Sequence, residues 1–186
     1  MTARLPLPKW TLHIVGWFAL LFAAAWLLGI RVNTSASLPK GLWLEKGSRS
    51  ADGVLTRGAI VTFCPSDVPA FQLAKQRGYI SGGWCPHTYQ PVFKPVVAIA
   101  GDHVLLSSTG IDVNGVHIDN SAPLSSDSAR RLLPTLRYGT YTVAPGSVWV
   151  VSSYNSRSFD SRYYGCIEIS DIRSVVVPLL VRVTHD

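Results

Sequence analysis

Charge is what this chain has least of. Only 15% of its 186 residues are Asp, Glu, Lys or Arg, against 47% hydrophobic, and the formal net charge is +6. No Lys/Arg-rich run or basic stripe is present. A nucleic-acid partner is therefore not expected, and the cationic excess reads as solvated surface with some attraction to anionic lipid headgroups. The chain shows no internal repeat and no long disordered tract, and its length suits one modest domain plus an appendage. No GxSxG elbow occurs anywhere, so a nucleophilic serine must find its base in another part of the chain. Cysteine is limited to Cys64, Cys85 and Cys166. Cys85-Pro86-His87 hints at metal, but no second ligand pair follows at a zinc-finger-like spacing, so that reading is weak.

Apolar sequence, by contrast, is concentrated near the start. The run TLHIVGWFALLFAAAWLLGI, Thr11 to Ile30, carries no formal charge if His13 is neutral. A helix of that length is about 30 Å long, the thickness of a bilayer core. Arg4 and Lys9 precede it with no acidic residue, Trp10 and Trp17 lie toward one end, and Trp26 lies toward the other. The positive-inside rule then puts residues 1–10 in the cytoplasm, a transmembrane anchor at 11–30 and everything from residue 31 outside, although Arg31 works slightly against that orientation. A cleaved signal peptide is the rival reading, but its apolar core would typically be shorter. The outer compartment permits a disulfide. Cys64 and Cys85 are the better pair, each before a proline at either end of one insertion, which leaves Cys166 free.

The rest reads mainly as strands. Segments 41–47, 58–63, 91–102, 103–108, 147–154 and 171–183 are apolar and bounded by turn residues. Asn114-Gly115 between two short β-type runs predicts a hairpin over 111–119. The turn-like DGVLTRG covers 52–58, residues 67–79 are the best helix candidate outside the membrane, and 121–139 is irregular with at most one helical turn. The expected fold is mainly β, with residues 31–186 forming one domain tethered by one helix.

Two residue types in this pattern carry chemistry. Asn33 to Trp43, NTSASLPKGLW, supplies hydroxyls close to the anchor. Lys94 sits within the apolar run PVFKPVVAIA, on one strand face with Val92 and Val96. A lysine there is either a snorkelling edge residue or a base whose pKa falls on burial until its neutral amine can take a serine proton. The histidines (His13, His87, His103, His117 and His185) show no setting that marks a catalytic base. A Ser–His–Asp triad stays open on spacing alone, because triads assemble in space.

Three boxes occur in order: SLPKGLW after the anchor, KPVVAIAGD, and NSRSFDSRYYG late in the chain. Together they resemble the serine, lysine and DSR boxes of the type I signal peptidases. SFDSRYYG and the FCP…CP insertion are most similar to the conjugative-transfer, TraF-type branch. The resemblance covers nearly the whole external domain and implies a signal-peptidase-like antiparallel β domain with a short helix. It implies that Ser37 is the nucleophile and Lys94 the general base. Ser35 and the Ser37 backbone N–H would form the oxyanion hole. Ser158 would orient the lysine, and Asp160 and Arg162 would pair to hold that corner. No metal or organic cofactor is implied. Departures from the family pattern are Pro95 after the lysine, where it should end regular pairing, Ala59 in place of an acidic residue, and Cys166 in place of proline.

The resulting expectation is a single-pass protein of the bacterial inner membrane with a periplasmic serine endopeptidase domain. It would cleave signal sequences of membrane-inserted precursors such as a prepilin, alongside other proteins of a conjugation or type IV secretion machine. A general signal peptidase is the nearest alternative. A non-catalytic membrane-tethered scaffold is the alternative from another class, and it requires Ser37 and Lys94 to be far apart or exposed.

Overall fold

The structure, a computed structural model, describes residues 9–47 and 55–182. Arg4, His185 and the first part of the turn at 52–58 lie outside the described residues. In chain order the elements are α1 (Lys9–Leu27), β1 (Ile30–Asn33), β2 (Lys40–Glu45), β3 (Ile60–Phe63), α2 (Pro69–Gln76), β4 (Val92–Ala98), β5 (His103–Leu106) and β6 (Ile111–Val113). They continue with β7 (Val116–Ile118), β8 (Gly139–Thr142), β9 (Ser147–Val150), α3 (Ser161–Tyr164), β10 (Ile167–Glu168) and β11 (Ile172–Arg182).

α1 is apolar all round, as a helix must be when no part of it faces water. By length and composition it fits a single-pass membrane anchor. Its helical turns stop at Leu27, and Gly29, at φ +78°, turns the chain so that Ile30 opens β1 rather than closing the helix. The guanidinium of Arg31 lies over the ring of Trp26, 4.0 Å from its centroid, and Trp26 meets Trp84 edge-on at 6.5 Å.

The remaining chain is mainly β and antiparallel. One sheet has seven strands in the order β1-β2-β11-β3-β4-β9-β10, and a second has four in the order β7-β6-β5-β8. The predicted hairpin is present: Asn114 and Gly115, both at positive φ, join β6 to β7 with Val113 opposite Val116. Three apolar clusters fill the interior. Phe63, Phe71, Val96, Val150 and Ile172 lie under the large sheet, and Val104, Leu106, Ile111 and Trp149 lie at the small one. Leu38, Trp43, Phe93 and Val176 lie beneath the segment that follows β1.

Pro95 does not end its strand. β4 continues to Ala98, with Pro95 opposite Ile60, because the missing N–H points away from β3. The proline marks an exchange of neighbours. Val92–Pro95 pair with β3, whereas pairing with β9 begins only at Val96, next to the Val151 N–H that donates to the Pro95 carbonyl at 3.1 Å. The backbone groups of Phe93 therefore face an open edge. Residues 121–139 contain no helical turn. Asp127 organises that segment instead, accepting from the N–H groups of Ala129 and Arg131 at 2.9 Å each and from the Tyr79 hydroxyl.

Candidate active site

The nucleophile candidate is presented by a loop that one buried side chain ties together. Asn33, at the end of β1, donates from Nδ2 to the carbonyls of Ser35 (3.3 Å), Leu38 (3.2 Å) and Pro39 (3.2 Å). Its Oδ1 accepts from the Ser35 N–H at 3.1 Å and the Ser35 hydroxyl at 2.9 Å. Leu38 plugs the apolar cluster below, and Trp43 Nε1 donates to the Pro39 carbonyl at 3.2 Å. From the opposite side the buried Ser152 hydroxyl donates to the Ser37 carbonyl, and Asn155 Nδ2 donates to the Ala36 carbonyl at 3.2 Å. Ser37 is thus fixed at the crest of the loop by hydrogen bonds on both flanks.

β4 brings Lys94 beneath that crest. The lysine is opposite Val61 and only 2% exposed. Its Nζ lies 2.5 Å from Ser37 Oγ and 2.7 Å from Ser158 Oγ. Burial disfavours the ammonium and lowers the Lys94 pKa from 10.5 to about 8; Asp160 opposes that shift and Arg162 adds to it. The amine is therefore poised to exchange a proton near neutral to mildly basic pH.

Ser158 is held in turn by a buried ion pair. Arg162 forms a fork on Asp160, with Nε to Oδ1 and Nη2 to Oδ2 at 2.8 Å each, and both side chains are fully buried. The remaining guanidinium hydrogens donate to the carbonyls of Ser158 (2.8 Å), Ala122 (3.0 Å) and Ser156 (3.2 Å). Asp160 caps α3 through the Arg162 N–H and accepts from the Ser152 N–H at 3.2 Å. A single acid–base pair therefore braces both Ser158 and the Ser152 that grips the nucleophile loop.

The structure brings Ser37, Lys94 and Ser158 into one hydrogen-bonded chain, with Asp160 and Arg162 behind them. Ser35 is adjacent, but its hydroxyl is turned toward Asn33. Cys64 and Cys85 are joined by a disulfide, and Cys166 is free and exposed. Among the described residues, no histidine lines the cleft at Ser37. His117 is instead paired with Asp112 at the β6–β7 hairpin.

Asn33, Ser152 and Asn155 were not singled out from the sequence. Asn33 carried a usable signal, since an asparagine at a strand end followed by Thr and Ser favours side-chain-to-backbone turns. Ser152 and Asn155 carried none, because their acceptors lie more than a hundred residues away in sequence.

The cleft beside Ser37 and Lys94 has a volume of about 470 Å³ and an apolar wall that includes Ile80, Val92, Leu133 and Phe159. The Ser37 hydroxyl and the Lys94 amine are both part of its lining.

Known proteins similar to this chain include conjugative-transfer proteins and a signal peptidase. The plasmid transfer protein TraF of Escherichia coli is 40% identical over 168 residues, 90% of this chain and 92% of its own. The conjugal transfer protein TraF of Agrobacterium fabrum (strain C58 / ATCC 33970) is 34% identical over 152 residues, 81% of this chain and 82% of its own. A solved signal peptidase I from Enterococcus faecalis V583 covers 67% of this chain and 97% of its own at 21% identity and TM-score 0.38. The family model described as "Signal peptidase, peptidase S26" matches residues 8–180, nearly the whole length, and the chain accordingly belongs to the signal peptidase family, peptidase S26.

Proposed function

We propose that the protein is a membrane-anchored serine endopeptidase with a Ser37–Lys94 dyad that processes membrane-inserted precursors, such as a prepilin, for conjugative transfer. The observation that carries this reading is the 2.5 Å approach of a 2% exposed lysine amine to a serine hydroxyl in the lining of a cleft of about 470 Å³. The same approach argues against a non-catalytic scaffold. The plasmid and conjugal transfer names of the relatives support the conjugative setting over general preprotein export.

Neutral Lys94 takes the Ser37 proton as Oγ attacks the scissile carbonyl. The oxyanion is met by the Ser37 N–H and by the Ser35 hydroxyl, once that hydroxyl turns from Asn33 toward the site. Lys94 then protonates the leaving amine and afterwards activates the water that cleaves the acyl-enzyme. Ser158 holds the amine on line throughout. The acyl side of the substrate adds along the open edge of β4 through the backbone groups of Phe93. Shallow apolar pockets beside it select small side chains, which places the cut after Ala-x-Ala-like sequences. The anchor places the domain on the periplasmic face of the inner membrane, N-terminus inside.

The test is incubation of the full chain with a membrane-inserted prepilin, followed by mass spectrometry of the products. Ser37→Ala and Lys94→Met are each expected to abolish the cut while leaving the protein folded. Lys94→Arg is expected to fail as well, because a guanidinium stays protonated. Substantial cleavage by any of the three removes the dyad.

A further inference from the structure

A second, smaller cleft lies across the nucleophile loop from the first. It has a volume of about 360 Å³ and is lined by Ala36, Leu38, Lys40, Tyr154, Asn155 and Arg182, among others. Ala36 and Asn155 also line the first cleft, so the two meet at the crest that carries Ser37. Ser37 therefore stands between a cleft with an open strand edge and a smaller one with two cations, Lys40 and Arg182.

Those cations are unusual in their placement. Lys40 on β2 and Arg182 on β11 are direct cross-strand partners. Like charges directly opposite in an antiparallel pair destabilise the sheet. Among the described residues neither has a carboxylate partner. Two uncompensated cations facing one small cleft form a receptor for an anion.

The direction of the substrate identifies that anion. If the acyl side lies along Phe93 and ends at Ser37, the chain beyond the scissile bond leaves over Ala36 and Leu38 into the second cleft. Lys40 is the third residue after Ser37 along the loop. The loop turns at Ser37 and Leu38, so at no more than ~3.3 Å per residue Lys40 lies within roughly 10 Å of Ser37, within the span of about three extended substrate residues past the cut. We infer that the Lys40–Arg182 cleft binds the leaving segment of the substrate and selects a carboxylate within about three residues of the scissile bond. The carboxylate is either an Asp or Glu side chain or the free C-terminus of a short leaving segment. This rests on the Ser37–Lys94 reading above.

The test uses the full chain in neutral detergent with synthetic peptides. Each carries an apolar segment and Ala-x-Ala before the bond, and all differ only at the third residue after it: Glu, Gln or Lys, with amidated C-termini. A further Gln peptide ends there in a free carboxylate. Wild type is expected to favour Glu over Gln by about fivefold in kcat/KM, as two partly exposed charge contacts allow, and Gln over Lys. A preference for the free-acid Gln peptide over its amide would assign the site to a chain terminus. The double variant Lys40→Glu/Arg182→Glu should invert the order. The milder Lys40→Gln/Arg182→Gln should flatten it, which serves if charge reversal impairs folding. Equal cleavage of all peptides by wild type, with Ser37→Ala inactive, overturns the charge-selective cleft and leaves the dyad standing. Cleavage by Ser37→Ala overturns both. If the reversed variant keeps the wild-type order, the two cations do not read the substrate and the inference is wrong.

Discussion

Lys94 is costly where it stands, and the proposed dyad gives that cost a use. Lowering its pKa from 10.5 to about 8 corresponds to at most about 3 kcal/mol of unfavourable burial of the charged form. Below the folded pKa the lysine is protonated in both states and the full penalty acts. Between about pH 8 and 10.5 the unfolded chain binds the extra proton, so stability should rise with pH through that window. Lys94→Met is therefore expected to melt higher than wild type at pH 7, with the difference shrinking toward pH 10.5. Thermal unfolding across that range would reveal it, and an equal or lower melting temperature at pH 7 would contradict the burial argument. Activity should follow the same titration. With neutral Lys94 as the base, kcat/KM should climb as pH passes about 8, and an enzyme fastest in acid would contradict the assignment. At Asn33, truncation to Ala strips partners from three loop carbonyls and from Ser35, each worth about 1 kcal/mol. The expected outcome is a large loss of kcat together with a substantial loss of stability, because the crest that holds Ser37 loses its inner tie.

At the scale of elements, the short helix α3 and the long insertion between β3 and β4 support the site from two sides. α3 is only four residues long and has no stability of its own. It persists because Asp160 caps it and Arg162 pins it to the carbonyls of Ser158, Ala122 and Ser156. Asp160→Asn should therefore cost about 3–5 kcal/mol by leaving a buried guanidinium without its counter-charge. It should also slow catalysis by releasing Ser158 from Lys94, as urea unfolding and single-turnover rates on the same sample would show. The insertion is closed by Cys64–Cys85 and carries α2 and the Gly78–Ser81 wall of the cleft. The Ser81 carbonyl accepts from the Gln90 N–H at 2.9 Å, which links that wall to the strand bearing Lys94. Replacing both bridged cysteines with Ser should lower stability by ~3 kcal/mol on loop-entropy grounds, with KM rising more than kcat falls. A fully active, equally stable variant would show that the bridge is incidental. At the turn into β2, Gly41 (φ +140°) has no room for a Cβ, which would sit 2.2 Å from the Leu180 carbonyl at the β11 bulge. Only glycine lets the nucleophile loop enter the sheet there.

For the molecule as a whole, the path from α1 to Ser37 is short, and under the proposed function it limits which bonds can be reached. Ser37 follows Leu27 by ten residues, of which Ile30–Asn33 are spent in β1. The loop therefore cannot lie more than about 35 Å from the helix end even if fully extended, and the folded strand shortens that reach. Precursors held in the same bilayer should be cut only close to its surface. Moving the cleavage site outward by a rigid helical spacer of ~40 Å should slow processing of an anchored substrate, while leaving a detergent-solubilised peptide unaffected. Equal rates for both would mean that the anchor does not set the distance.

Much of this could be read from local residue order. The apolar run, the Asn-Gly hairpin, the alternation around Lys94, the prolines after Cys64 and Cys85, and the three ordered boxes are all patterns within a few residues. They pointed to an apolar N-terminal helix, the β character, the better cysteine pair and the candidate dyad. Only the tertiary structure decided what those residues touch. Lys94 is a base candidate rather than a snorkelling edge lysine because β3, the Asn33–Pro39 loop and Ser158 close over it. Ser35 faces Asn33 because that carboxamide organises the turn. Pro95 redirects pairing instead of ending it because its ring nitrogen faces the side where no strand yet pairs. Ser152, Asn155 and the opposition of Lys40 to Arg182 depend on contacts between segments far apart in the chain. Such contacts form only when the sheet sets its register, and no short-range pattern encodes them.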